Sequence, residues 1–401
     1  MEKNQIIKIH GTDYKEMTKE LLTAAKLEEL LPEQEKCIGI KPNLVSPSTA
    51  DWGATTHPEV VAGIIEYLQE RGYRNIMIAE GSWVGDRTAE SIEVCGYDVL
   101  AETYKVALQD AQKDTYHEKD CGGLALNICD CVEKIDFLIN VPVMKGHCQT
   151  KITCALKNMK GLIPNREKRR FHSLGLHRPI AHLGVGIRQD FIVVDHICGD
   201  LDFEDGGNPV VCNCVMAGCD PVLMDAYVCH LLHYEVDEVP YIRMAEELGV
   251  GCADVSEAEI FECKRVCESG ADNCLEDEGT ADTLVETDEA ELLVQCKQTE
   301  ELPKERKIVE LRDAVEEVES CSACYGYLIP ALEQLRQEGL LDKLDAKICI
   351  GQGYQGQTGK IGVGRCTAKF EHHVNGCPPT ETQIYEFLKD YIRTKESYKE
   401  L

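Results

Sequence analysis

Short apolar runs alternate with amphipathic stretches along roughly the first 250 residues of the chain. Ile6, Ile7 and Ile9 predict a strand, and Met17, Leu21, Leu22 and Ala25 follow at helical spacings of three and four. A second strand is predicted at 37–40, stopped by Pro42 and Asn43. The loop after it leads to Thr55-Thr56-His57-Pro58, where a threonine is placed to cap a helix carrying Val60, Val61, Ile64, Ile65 and Leu68. Gly72 closes that helix, and a third strand at 75–79 ends in Glu80-Gly81-Ser82.

The rhythm continues with a helix from 88 to about 109, an acidic, cysteine-bearing region to Glu133, and strands at 137–141, 191–194 and 214–217. Pro221 opens a further helix through Val222, Ala226, Cys229 and Leu232. Strand, helix, strand repeated in this way predicts an α/β fold with a mostly parallel, Rossmann-like sheet and flanking helices. Functional loops then belong at the carboxyl ends of the strands.

Residues 255–320 change character. They are rich in acids, hold Cys263, Cys267, Cys274 and Cys296, and lack hydrophobic periodicity at 275–279; a helical pattern is confined to 308–318. A last α/β piece follows, with a helix at 328–338, a strand at 347–350, the turn Gly351-x-Gly353-x-x-Gly356 and a helix at 380–398. The organisation expected is an α/β core domain at 1–254, an acidic linker or insertion at 255–320, and a cysteine-bearing α/β segment at 321–401 that packs on the core.

The chain's 401 residues fit two cores, or one with additions. No run approaches the roughly 18 apolar residues of a membrane span, and the first residues lack the apolar segment of a secretory signal, so a cytoplasmic protein is expected. Without a signal, 22 cysteines in a long chain read as reduced thiols and not a disulfide framework. Cys95, Cys198 and Cys229 sit in apolar runs as core thiols, and so many oxidisable groups suit an anaerobe. The net charge of -29, from 71 acids against 42 bases, opposes binding to nucleic acid or to an anionic membrane surface.

One segment reverses that charge. Between Lys145 and Arg178 lie Lys151, Lys157, Lys160, Arg166, Lys168, Arg169 and Arg170, against Glu167 alone. The segment is either a solvated face paired with the protein's own acids or a pocket for a carboxylate or phosphate, an anionic small molecule. His147, His172, His177 and His182 add groups that titrate or bind metal near neutral pH.

Four cysteines near the end form the other candidate: Cys321-x2-Cys324, then Cys366 beside Gly364, then Cys377 between Gly376 and Pro378. Four thiolates hold an iron-sulfur cluster or a structural zinc, and buried thiols without metal are the third reading. The glycine run at 351–356 matches a dinucleotide fingerprint, but residues 357–362 read as loop and strand. The helix terminus that would hold a pyrophosphate is then missing, and a turn laid against the cysteine site is the better account.

With these residues assembled, the chain resembles domain-of-unknown-function family 362, bacterial and archaeal proteins many of which carry iron-sulfur motifs. The resemblance rests on Lys41-Pro42-Asn43, Thr56-His57-Pro58-Glu59, Glu80-Gly81-Ser82, the stretches from Asn140 to His147 and from Ala155 to Gly161, and Gly218-Cys219-Asp220-Pro221-Val222. It spans roughly residues 5–250, and the closing cysteines resemble the tail of a subset of the family. It implies one 4Fe-4S cluster on Cys321, Cys324, Cys366 and Cys377 in preference to zinc. The compact ferredoxin modules of many members are absent here, so two-cluster wiring is not implied.

The expectation is an iron-sulfur oxidoreductase. Lys145, His147, Lys157 and His57 would act catalytically, and Lys41, Asn43, Lys160 and Arg178 would bind the substrate, across one cleft from the cluster. Two alternatives stand beside it: an electron carrier or assembly partner that docks a redox protein, and a non-redox enzyme whose cysteine site is structural.

Overall fold

A computed structural model describes residues 1–264, 284–285, 292–295, 311, 313–318, 320 and 322–399. Cys321, Cys267, Cys274, Cys296, the acidic stretch 275–279 and residues 308–310 of the expected helix lie outside the described residues. The chain divides into two compact units: Met1–Gly146, Ile152–Phe171 and Leu176–Leu302 make the first, and His147–Lys151, His172–Gly175 and Pro303–Leu401 the second. Strands at 259–264, 284–285 and 292–295, from the acidic region, extend the sheet of the first unit.

In chain order the first unit contains β1 (Gln5–His10), α1 (Tyr14–Ala24), β2 (Ile38–Lys41), α2 (Pro58–Glu70), β3 (Ile76–Glu80), α3 (Thr88–Val94), α4 (Tyr97–Tyr104) and β4 (Ala107–Asp110). There follow β5 (Tyr116–Asp120), β6 (Ala125–Cys129), β7 (Phe137–Asn140), β8 (Lys145–His147), β9 (Lys151–Thr153), α5 (Ala155–Asn158), α6 (Asn165–Ser173) and α7 (His177–Gly186), of which β8, β9 and α6 have residues in both units. It ends with β10 (Phe191–Asp200), β11 (Pro209–Gly218), α8 (Pro221–Leu231), α9 (Pro240–Glu247), β12 (Glu259–Lys264), β13 (Leu284–Val285) and β14 (Leu292–Gln295).

Ten strands form one sheet in the order β13-β14-β12-β1-β11-β10-β7-β2-β3-β4. Of these, β11 and β14 run against the rest. The fold is therefore α/β with a mostly parallel sheet, as the sequence predicts, but β11 lies antiparallel between β1 and β10. Ile38, Ile40, Ile78, Ile139 and Val193 are buried in the sheet against Met17, Leu21, Val61, Ile64 and Leu68 of α1 and α2. Each such side chain contributes about 1.5–3 kcal/mol through burial, and continuous apolar runs are what strands covered on both faces require.

Three local expectations are corrected. The helix expected over 88–109 is broken at Gly96, whose φ of 74° is left-handed, and its last residues become β4 beside β3. The 116–129 region is a β5–β6 hairpin. At the head of α2 no threonine caps: His57 holds the N-cap position without a side-chain bond to the helix's first turn, and the Thr56 hydroxyl instead accepts from Asn43 N at 2.8 Å and donates to Val141 O at 2.8 Å.

The second unit has a parallel four-stranded sheet, β15 (Val315–Glu317), β16 (Ile348–Ile350), β17 (Ile361–Val363) and β18 (His372–Val374), in that order. Residues 315–317 of the expected helix are thus a strand. Helices α10 (Ser322–Gln337) and α11 (Glu381–Lys399) pack on each other, burying Leu328, Leu332, Leu335, Ile384 and Leu388. No helix among the described residues is long and apolar enough to cross a membrane.

Candidate functional site

In the first unit the chain runs from β2 outward through β3 and β4, then returns to place β7 on the other side of β2. The strand order reverses between β2 and β7, where open α/β sheets place their ligands, at the strands' carboxyl ends. Three adjacent strands end there in polar residues: Asn140 on β7, Lys41 on β2 and Glu80 on β3, with Lys41 and Asn140 in register.

All three are buried. Lys41 forms an ion pair with Glu80 and donates to Pro42 O at 2.7 Å and Asn158 Oδ1 at 3.3 Å. Lys168 of α6 approaches from the other side, its Nζ donating to Gly81 O and Ser82 O at 2.7 Å each. Burial pushes the Lys41 ammonium down and the Glu80 carboxyl up, and the attraction of each for the other opposes both shifts. Lys168 falls to about 8, again by burial, with Glu80 opposing. Gly161 lies against the pair because it has no side chain: a Cβ there would stand 2.6 Å from Lys41 Nζ and from Glu80 Oε1.

A chain of carboxamides joins this pair to a second buried lysine. Asn158 Oδ1 accepts from Lys41 and from Asn43 Nδ2 (2.9 Å), and its Nδ2 donates to Asn140 Oδ1 at 2.7 Å. Asn43 Oδ1 in turn accepts from Lys145 Nζ at 3.4 Å, and Lys145 gives its other protons to Ala54 O (2.6 Å) and Glu204 O (2.8 Å). Burial pushes Lys145 down, with Lys157 adding to the fall, while Asp205 beside it is pushed up by burial and by Glu204. Lys157 and Lys160 are half-buried, and Lys157 Nζ donates to Thr153 Oγ1 at 3.1 Å.

His57 is held apart from these amines. Its backbone N–H and Nδ1 both meet Asp195 Oδ2, at 2.7 and 2.8 Å. Burial alone would lower the imidazole, but the Asp195 carboxylate overrides it, and His57 stands above its ordinary pKa. His147 Nδ1 accepts from the backbone N–H groups of Gln149 (3.0 Å) and Thr150 (3.1 Å), which fixes the proton of the neutral ring on Nε2. Arg178 is exposed at the start of α7, and among the described residues no hydrogen bond joins it to the lysine network.

The structure thus gathers Lys41, Asn43, Lys145 and Lys157, and adds Glu80, Asn140, Asn158 and Lys168, which sequence reasoning did not place in the site, while Asp195 joins His57. A readable signal exists for Glu80 and Asn140, polar residues that end apolar runs.

Asp225 supports the same site from α8. Its carboxylate accepts from Ala155 N (2.7 Å) and Leu156 N (3.2 Å), holding the first turn of α5, the helix that carries Lys157 and Asn158. Burial raises its pKa to about 7 against those bonds and the neighbouring Tyr241 and Cys154. Between about 4, the ordinary carboxyl value, and about 7 the folded protein keeps a proton that the unfolded chain has lost. Stability therefore falls as pH rises through that window, by up to about 1.4 kcal/mol per unit from this group. Urea midpoints measured from pH 5 to 7 should show a shallower decline in Asp225→Asn than in wild type; an unchanged slope would exclude this carboxyl as a source.

In the second unit, Cys324 lies in the first turn of α10, where the helix terminus favours a thiolate. A Cβ on Gly364, whose φ is 90°, would stand 3.5 Å from Cys324 Sγ and 3.7 Å from Gly376 O. Gly364 N donates to Val374 O at 2.9 Å, and Arg365 N to Gly376 O at 2.8 Å, so the segments bearing Cys366 and Cys377 are bound side by side against Cys324. Cys324 and Cys366 are half-buried and Cys377 is exposed. Thiols on adjoining segments with bare backbone beside them are the donor type that a thiolate-ligated metal group uses.

The glycine-rich turn is explained by packing. A Cβ on Gly351 would stand 1.9 Å from Val318 O, and one on Gly353 2.2 Å from Val318 Cγ1. The other described thiols are mostly core: Cys95, Cys198, Cys214, Cys229 and Cys263 are buried, while Cys212 is half-buried.

Residues 38–230 match the family described as Domain of unknown function (DUF362). The thylakoid-associated protein sll1697 of Synechocystis sp. (strain ATCC 27184 / PCC 6803 / Kazusa) is 22% identical over 218 residues, 53% of this chain and 67% of that protein. Among solved structures, the lactate racemase apoprotein from Thermoanaerobacterium thermosaccharolyticum aligns with 14% identity and a TM-score of 0.41, over 58% of this chain and 57% of that one. A structural-genomics protein from Thermotoga maritima aligns with 13% identity and a TM-score of 0.34, over 62% and 61%. The chain spans less than two thirds of either solved structure. The DUF362 family match spans the core from β2 to α8, which carries Lys41, Glu80, Lys145, Asn158 and Asp225.

Proposed function

We propose that the protein is an iron-sulfur protein of anaerobic redox metabolism, with one 4Fe-4S cluster in its C-terminal unit and a site for an anionic carboxylate, acyl or phosphate substrate in its α/β unit. The observation that carries this reading is the gathering of Cys324, Cys366 and Cys377 around Gly364 and Gly376, with Cys321 supplying the fourth thiol from sequence. A bound cluster supplies single-electron transfer at the thiolate site.

The residues of the α/β unit would do the rest. Lys157 and Lys160 are half-buried, Lys157 close enough to act on the buried Lys145, and they would offer positive charge to an anion. Lys145, pushed down by burial, can release a proton near neutrality, and its link through Asn43 and Asn158 to Lys41 fixes its position. Asp195 holds His57 by Nδ1 and leaves Nε2 as the nitrogen that exchanges a proton.

A second reading, an electron carrier docking a redox partner, is favoured by one feature: Cys377 is exposed, which sets one ligand of the group at the surface. Anaerobic purification followed by iron and sulfide analysis tests the cluster itself, with about four of each expected per chain. A colourless protein carrying stoichiometric zinc would overturn it. The carrier reading gains if the iron-loaded protein retains no small anion and is captured, salt-sensitively, by a redox protein.

A further inference from the structure

The glycine-rich turn places one side chain on the thiolate site. The short helical turn Gln352–Tyr354 is locked on Val318 by the two glycines, by Gly353 N donating to Val318 O at 3.1 Å, and by Tyr354 packed edge-to-face on Phe370 at 5.6 Å. Gln355 ends the turn, its N–H bound to Gln352 O at 3.0 Å, and its side-chain Nε2 reaches Cys366 Sγ at 3.7 Å, a hydrogen bond to sulfur. Cys366 is fixed in turn, since Thr367 N and Oγ1 both donate to Gly364 O, at 3.1 and 2.9 Å.

We infer that Gln355 is a positioning residue that sets the redox potential of the cluster through the hydrogen bond from its carboxamide to Cys366; this rests on the iron-sulfur reading above. An N–H directed at a ligating sulfur stabilises negative charge there. The reduced cluster carries one more negative charge than the oxidised one, so the bond favours reduction, and hydrogen bonding to the sulfurs is among the protein's means of setting such potentials. Tyr354 and the glycines contribute by holding the amide in place.

The test compares wild type with Gln355→Leu, which removes the donor, and Gln355→Glu, which replaces it with a carboxylate. Each protein is loaded anaerobically, analysed for iron and sulfide, and poised with mediators at one fixed potential, and the reduced fraction is read by electron paramagnetic resonance. With iron content unchanged, the ratio of reduced to oxidised protein is expected to fall roughly two- to tenfold in Gln355→Leu, the range a single hydrogen bond supports, and further in Gln355→Glu. Iron-loaded variants with the wild-type ratio would sink this inference and leave the cluster reading intact. Loss of iron from both variants would also overturn it, making Gln355 a support of the fold. A wild-type protein that binds no iron and sulfide would remove the cluster reading and this inference together.

Discussion

Glu80→Ala is expected to lower folding stability by about 3–5 kcal/mol, the cost of leaving a buried charge without its partner. Lys41 is fully buried, its remaining bonds reach a carbonyl and a carboxamide, and Glu80 is its carboxylate partner. Lys168 depends on the same charge, although Gly81 O and Ser82 O would still hold its amine. Denaturant midpoints give the loss, and a double-mutant cycle gives its cause. Lys41→Met combined with Glu80→Leu should recover much of the stability lost by Glu80→Ala, because apolar groups of similar volume replace a buried ion pair at little cost. Equal and additive losses from the two positions would mean that the groups do not act as a pair.

The size of that effect bears on the site's chemistry. Lys41 and Lys145 have their protons committed to protein acceptors, and the carboxamides between them fix both amines. They are better placed to set the field and geometry of the site than to grip a ligand directly. Lys157 and Lys160 keep partial exposure, and under the proposed function contact with an anion would fall to them.

The ends of β2 and β3 were legible because these strands are buried on both faces, so apolar runs stop where Lys41 and Glu80 begin, whereas the strand expected at 137–141 ends one residue earlier, at Asn140. What joins those ends was not legible: Glu80 meets Lys41 and Lys168 through the sheet order and α6, which no local pattern encodes. The far half of β10 was hidden for a related reason. The strand expected at 191–194 continues to Asp200, and Asp195, His196 and Asp200 are buried within it. Asp195 is satisfied by His57 and by Ile197 N, and Asp200 by the N–H groups of Asp202, Phe203 and Asn208. The antiparallel course of β11 escaped the reading because a strand's own residues do not state its direction. At the other end of the chain, cysteine spacing and adjacent glycines pointed to one locus, and Cys324, Cys366 and Cys377 are brought to it. The motif at 351–356 was legible as a turn, while the reach of Gln355 to sulfur depends on the pairing of β16 with β17.

Cys366→Ala should remove the cluster altogether, with iron falling from about four per chain to less than one. A cluster held by four thiolates does not survive on three unless water or another group substitutes, and Cys366 is fixed against Cys324 and Cys377 by backbone bonds that leave little room to recruit a replacement. The informative comparison is Cys349→Ala. Cys349 is a half-buried thiol on β16, in the same unit, beside Glu316 and Tyr354, and burial raises its pKa. A thiol held in its protonated form is a poor metal ligand. Cys349→Ala should therefore keep its iron and its visible absorption while Cys366→Ala and Cys324→Ala lose both. If all three lose iron alike, the ligand set is not the one assigned, and if none does, the iron is not held by these thiols. Measuring thermal unfolding of each variant alongside iron separates ligand loss from misfolding: a colourless Cys366→Ala protein that still unfolds cooperatively identifies Cys366 as a ligand.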